Sequence, residues 1–273
     1  MTETPATGTP VFDALRDALR DDVPVVLATV TAGPHLGAKL LAKPAADRGA
    51  AAVLGTLGDP DLDRVVTRDA LGELDAGLTS VRHYGEHGEA REDTVSVFIE
   101  SFSPPPRMVI FGAVDFTAAL AKVAKVLGYH VVVCDARPVF ATVKRFPMAD
   151  EVVNDWPDRY LAKIGERLGG HDAVCVLTHD AKFDVPAITA SLATDVGYLG
   201  AMGSRRTHAT RVARLHEVGV SDHELERVMA PIGLDIGSRT PEETAVAICA
   251  EIIALRTGRT GVPSLRDGQG GIH

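Results

Sequence analysis

The stretch Met108-Val109-Ile110-Phe111-Gly112-Ala113-Val114-Asp115-Phe116-Thr117 decides the reading of the chain. Four apolar residues run into a glycine, and over 116–127 apolar residues return at helical spacing until Gly128 closes the run. A second apolar segment over 131–134 completes the order strand, turn, helix, strand. Strands without polar alternation belong in a sheet covered on both faces, and a helical crossover makes neighbouring strands parallel. The alternation continues: a strand over 151–153, a helix over 157–168, a strand over 173–177, a helix near 185–192 and a strand over 198–201. An α/β fold follows, with ligands expected at the carboxyl ends of its strands.

Toward the N-terminus, Ser103-Pro104-Pro105-Pro106 cannot continue a sheet or a helix, which puts a domain boundary at about 102–107. Before it, Phe12, Leu15 and Leu19 mark a short amphipathic helix, and short strands are predicted over 25–31, 38–42 and 51–57. Leu62, Val65, Val66, Ala70 and Leu74 share a helical face, and Val95, Val97 and Ile99 alternate as a returning strand. The expected organisation is a frayed start over 1–10, a smaller N-terminal α+β domain over 1–103, a Rossmann-like parallel-sheet domain over 107–260 and a tail over 261–273.

The formal net charge of −9, from 28 basic and 37 acidic residues, argues against nucleic acid or an anionic membrane as partner, so any anion site must be local. No apolar run approaches the roughly 20 residues needed to span a bilayer, and the start lacks the features of a signal peptide, so the cytoplasm is the expected compartment. Cys134, Cys175 and Cys249 lie inside apolar runs without metal-ligand spacing, and are expected buried and reduced, with no metal site.

The first strand–helix turn departs from the dinucleotide fingerprint. Gly112 matches, but Val114 and Thr117 stand where the second and third glycines would be, and Val114 puts a side chain where a pyrophosphate needs close backbone access. The start of the helix, with Asp115, can still attract an anion. Asp135 ends the second strand, where an acidic residue receives ribose hydroxyls; the alternative is a turn cap paired with Arg137. Thr178-His179-Asp180 brings a hydroxyl, an imidazole and a carboxylate to another strand end, with His179 either a general acid or base or a turn residue bonded to Asp180.

Gly200-Ala201-Met202-Gly203-Ser204-Arg205-Arg206-Thr207 is the strongest local signal. Gly203 permits close backbone approach, Ser204 is a natural N-cap, and the first-turn N–H groups together with the Arg205 and Arg206 guanidinium groups would converge on a phosphate. Further on, Gly233, Asp235 and Gly237 form a loose loop before the capping box Thr240-Pro241-Glu242-Glu243, and are expected in the same pocket. The apolar stripe Ala245, Ile248, Ile252 and Leu255 of the last helix is expected to pack on the sheet.

Taken in order, Gly128-Tyr129, Cys134-Asp135-Ala136-Arg137-Pro138, Arg145-Phe146-Pro147, Leu177-Thr178-His179-Asp180, Gly203-Ser204-Arg205-Arg206 and Pro231-Ile232-Gly233-Leu234-Asp235-Ile236-Gly237 resemble the Rossmann domain of the XdhC/CoxI family. The resemblance covers about 108–258. It implies an accessory factor, not itself a catalyst, that binds molybdenum cofactor transiently, as molybdopterin or its nucleotide form. It further implies that a cysteine desulfurase supplies the terminal sulfur and that an apo-hydroxylase of the xanthine or carbon monoxide dehydrogenase type receives the cargo. A homodimer is the default expectation.

The N-terminal part matches more weakly, through Ala28-Thr29-Val30, Gly33-Pro34, Gly37-Ala38-Lys39 and Gly55-Thr56, with Lys39 either near an anion or at the surface. The family's Gly-Gly-Cys stretch is replaced by Gly58-Asp59-Pro60, and its Cys-Gly-Gly before the strand near Thr94 is missing. The competing readings are an NAD(P)-dependent oxidoreductase on the same fold and a ligand-free protein-binding maturation factor.

Overall fold

The computed structural model describes residues 10–44, 51–259 and 261–262. The frayed start expected over 1–10 therefore lies outside the described residues except for Pro10, and the 261–273 tail does so except for Gly261 and Val262. The chain divides into two compact units, Met1–Pro104 and Pro105–His273.

The first unit contains α1 (Pro10–Arg20), β1 (Val25–Ala32), β2 (Lys39–Lys43), β3 (Ala52–Thr56), α2 (Pro60–Ala76), β4 (Ser80–Tyr84) and β5 (Val95–Phe102). Its antiparallel sheet has the order β3-β2-β1-β5-β4, with Ala28 opposite Leu40 on one side and Ile99 on the other. Because side chains alternate along a strand, β1 serves both faces. Val26, Ala28 and Val30 pack with Leu62, Val66 and Ala70 of α2, while Val25 and Leu27 pack with Ala18 of α1. β4 carries no apolar alternation legible in the sequence: it is an edge strand whose Val81 is exposed.

The second unit contains β6 (Arg107–Phe111), α3 (Asp115–Val126), β7 (His130–Cys134), β8 (Glu151–Val153), α4 (Pro157–Ile164), β9 (Ala173–Val176), α5 (Ala181–Leu192), β10 (Tyr198–Ala201), α6 (Arg205–Glu217), α7 (Asp222–Leu225), β11 (Val228–Met229) and α8 (Pro241–Arg256). All six strands are parallel, in the order β11-β10-β9-β6-β7-β8. This is the doubly wound Rossmann order, and the expected α/β class is borne out.

The period of two explains the unbroken apolar strands. Met108, Ile110, Val131, Val133 and Cys175 face one side, with Leu120 of α3 and Ile248 and Ile252 of α8. Val109, Phe111, Val132, Cys134 and Val174 face the other, with Leu161 of α4, Ile188 of α5 and Leu215 of α6. Each such fully buried aliphatic side chain contributes about 1.5–3 kcal/mol relative to exposure.

Three local expectations change. The helix after Pro157 stops at Ile164 and tightens into a 3-10 turn, Gly165–Arg167. α5 begins at Ala181, before Pro186, because Asp180 caps it by accepting the Lys182 N–H, and Asp184 anchors its first turn in the interior. Leu255 does not join the packed stripe of α8: it is 43% exposed, on the flank of the arc formed by Ala245, Ile248, Cys249 and Ile252. The three cysteines are buried free thiols, as expected.

Candidate functional site

The switch point of the sheet lies between β6 and β9, where strand order reverses and a dinucleotide would enter. Here the chain uses its own groups. Gly112 has φ +112°, and a Cβ built on it would lie 2.7 Å from Thr178 Cγ2, so the two strand ends are in close packing. The Gly112 N–H donates to the Cys134 carbonyl, the Ala113 N–H to Asp135 Oδ2 at 2.7 Å and the Val114 N–H to Thr117 Oγ1. Thr117 is buried and its hydroxyl donates to the Gly112 carbonyl. Thr117, in place of a third glycine, stitches the turn together.

Asp135 is 4% exposed and fully engaged. Its Oδ1 accepts from the Arg137 N–H and Nε, both at 2.9 Å, and its Oδ2 from Arg137 Nη2 at 2.8 Å as well as from Ala113. Burial pushes its carboxyl up, but the Arg137 guanidinium and the two backbone donors outweigh this and hold it below the usual carboxylate range. The turn-cap reading of Asp135 is the one the geometry displays. Arg137 also lies over the Phe140 ring at 4.7 Å. Asp115 stands apart, its side chain 94% exposed and 4.0 Å from Arg145.

Toward the other end of the sheet the groups open into cavities. Beyond β10 and β11, a cleft of about 610 Å³ is bounded by Ser204, Arg205 and Arg206 on one side and the Ile232–Asp235 backbone with Gly237 on the other. Thr244 and Ala247 of α8 complete its wall. Ser204 caps α6 by accepting the Thr207 N–H at 3.1 Å. The N–H groups of Arg205 and Arg206 have no acceptor among the described residues, so this helix start presents donors and two guanidinium groups to the same space. The volume lies within the roughly 300–1,000 Å³ range of small-molecule sites.

The opposite wall is held from behind. Gly233 has φ +94°, and a Cβ there would crowd the α8 backbone, 3.2 Å from the Ile248 nitrogen. Its N–H donates to Glu251 Oε2 at 2.9 Å, and the same oxygen accepts the Tyr198 hydroxyl at 2.6 Å. Asp235 and Gly237 thus share a cleft with Arg205 and Arg206, as the spacing suggests, while Gly112, Asp115, Asp135 and Arg137 do not line it.

Thr178, His179 and Asp180 divide. Thr178 is buried and its hydroxyl donates to Asp184 Oδ1, Asp180 caps α5, and His179 is exposed with no hydrogen bond to Asp180 among the described residues. His179 lines a second cavity, of about 280 Å³, with residues of α6. Asp184 and Arg211, both nearly fully buried and paired there, are not singled out by sequence reasoning. Their only signal is a carboxylate and an arginine on apolar helix faces, and nothing in the chain says that α5 and α6 are neighbours. His208 lies one turn before Arg211, and burial together with the Arg211 charge lowers its pKa.

In the first unit, Gly58-Asp59-Pro60 is a helix start. Asp59 Oδ1 accepts from the Asp61 and Leu62 N–H groups and its Oδ2 pairs with His87 Nδ1 at 2.8 Å. Lys39 Nζ donates to Thr29 Oγ1 at 3.1 Å. Among the described residues, no group of three or more His, Cys, Asp or Glu side chains is disposed to hold a metal ion, and no helix is long and apolar enough to cross a membrane.

Comparison with known proteins bears on the second unit above all. Residues 108–252 match the family model described as the XdhC Rossmann domain. Over 165 residues the chain is 34% identical to a Bacillus subtilis strain 168 protein described as a probable subunit of xanthine dehydrogenase, a match covering 60% of this chain and 47% of that protein. It is 28% identical over 159 residues to the "Molybdenum cofactor insertion chaperone PaoD" of Escherichia coli K12, covering 58% of this chain and 43% of that one. The matched region thus spans less than half of either relative. A crystal structure described as that of a xanthine dehydrogenase from Bacillus halodurans aligns over 92% of this chain and 97% of its own, with TM-score 0.51 and 21% identity, a likeness of fold.

Proposed function

Because the chain belongs to the XdhC Rossmann-domain family, we propose that it is a molybdenum-cofactor-binding accessory protein. In this reading it holds the cofactor while a cysteine desulfurase supplies the terminal sulfur, then passes it to an apo-hydroxylase of the xanthine or carbon monoxide dehydrogenase type. The names of the Bacillus subtilis and Escherichia coli relatives support a role in maturing such an enzyme.

The observation that carries the reading is the cleft in which Arg205 and Arg206, at the open start of α6, face the Gly233–Gly237 loop. The cargo is a pterin with a phosphate ester. A dianionic ester is the group that free first-turn amides and paired guanidinium forks recognise, and the flat ring requires the backbone to come close, as a glycine loop allows. We assign the holding role to the 107–260 domain and to Ser204, Arg205, Arg206, Gly233, Asp235 and Gly237. Asp135 and Arg137 act at a distance, by fixing the turn before α3.

The test is direct. Protein purified from a molybdenum-replete host is oxidised and its pterin fluorescence read, alongside the variant Arg205→Ala with Arg206→Ala. Each charge-assisted bond lost is worth about 1.5–3 kcal/mol, so the double variant should retain less than about a tenth of the signal. A wild-type protein with no pterin at micromolar concentration overturns the reading.

A further inference from the structure

We propose that the cavity of about 280 Å³ between the start of α5 and one face of α6 is a second binding site, for a tetrahedral oxyanion of phosphate size and charge. It shares only Arg206 with the cofactor cleft and stands on its own residues.

Arg206, Thr210 and Arg214 recur every four residues along α6, and Thr207, Arg211 and Arg214 follow at steps of four and three, so all of them project from one side of the helix and line one space. Three guanidinium groups meet a single carboxylate there, Asp184, and that carboxylate is already committed. Its Oδ1 accepts from Thr178, and its Oδ2 accepts from Arg211 Nε at 3.2 Å and Nη2 at 2.8 Å. Arg206 and Arg214 have no acidic partner among the described residues, although the chain as a whole carries net charge −9. Across the cavity stand His179 and Ala181, the first residue of α5, whose N-terminal end carries a partial positive charge.

Arg211 supplies the deciding observation. It is 3% exposed, and after serving Asp184 and the Met202 carbonyl, 2.7 Å from Nη2, its Nη1 is buried with no hydrogen-bond partner among the described residues. A buried guanidinium N–H without an acceptor is unfavourable, and native structures seldom leave one so. Arg211 lines the cavity together with Arg206, Thr210 and Arg214, and an oxyanion held among them would supply the missing acceptor. The ligand is either the phosphate of a larger molecule that continues into the cleft past Arg206 or a free oxyanion.

Isothermal titration of the full chain tests this with two probes, inorganic phosphate and ribose 5-phosphate. Saturable binding of phosphate in the millimolar range or tighter is expected, weakened about tenfold or more by Arg214→Gln, an exposed position that leaves the fold intact, and unchanged by Arg205→Gln, which alters only the cleft. Arg211→Lys should also weaken binding, with a melting curve to confirm that it folds. Tighter binding of the monoester, sensitive to Arg205→Gln, assigns the site to an esterified phosphate; equal binding of both probes assigns it to a free oxyanion. No saturable binding, or binding indifferent to Arg214→Gln, overturns the proposal. Arg206 lines both spaces, so the two readings are told apart by the single variants: Arg205→Gln alters only the cleft and Arg214→Gln only this cavity, and pterin content and phosphate binding are read on each.

Discussion

Gly233 donates its N–H to Glu251 Oε2 at 2.9 Å, tying the loop of the cofactor cleft to α8. Since the same oxygen receives the Tyr198 hydroxyl, one carboxylate connects β10, the loop and the helix. Glu251→Ala leaves both donors without an acceptor and should cost about 1–3 kcal/mol. Urea titration followed by the fluorescence of Trp156, the single tryptophan, measures that cost, and pterin content should fall with it. Glu251→Gln keeps an acceptor and should recover most of both; a Glu251→Ala protein as stable and as pterin-loaded as wild type would contradict the positioning role.

Gly112 and Thr178 close the switch point of the sheet. A methyl group at position 112 meets Thr178 at 2.7 Å on a backbone with φ +112°, so Gly112→Ala should destabilise the second unit by roughly 2–4 kcal/mol. NADH titration of the wild-type protein should show no saturable fluorescence change, because the amides that would seat its pyrophosphate are engaged within the turn. Micromolar NADH binding would reopen the oxidoreductase reading.

The Asp135 carboxyl predicts an acid dependence of defined sign. Its folded-state pKa lies below the ordinary 3.8, so its stabilisation is present above that value and is lost as pH falls through the folded-state value. Asp135→Asn should therefore be less stable than wild type at pH 7, by about 1–3 kcal/mol, with the difference shrinking in strong acid. A constant difference between pH 7 and pH 2 would show that the carboxylate charge is not what matters.

Burial pushes the thiols of Cys134 and Cys249 up, to about 12 and about 11, and that of Cys175 well above the usual range. Thiolates are the reactive form, so Ellman's reagent at pH 8 should label none of the three rapidly in the native protein and all three in denaturant. Rapid native labelling would place at least one thiol at an accessible surface, against the packing described.

Much of the fold is legible because its signals are local. The run 108–111, the glycine at 112 and the helical period over 116–127 place a parallel strand and its crossover helix from neighbouring residues alone, and Ser204 and Thr240 announce the helices they cap. β4 and β11 are not legible: an exposed edge strand shows no apolar alternation, and two residues are too short for any period. The start of α5 escapes the sequence because Pro186 reads as a helix beginning, whereas the Asp184–Arg211 pair holds the preceding turn helical.

Chain periodicity and capping thus determined the α/β class and the Ser204-Arg205-Arg206 helix start, since both depend on residues within a few positions of one another. The division of the named residues was decided only in three dimensions. Asp135 could equally have met a ribose or Arg137, and its environment depends on Ala113, 22 residues away. The pairing of Arg211 with Asp184, and the cavity it leaves beside α5, exist because parallel strands β9 and β10 bring their following helices side by side, which no local pattern encodes.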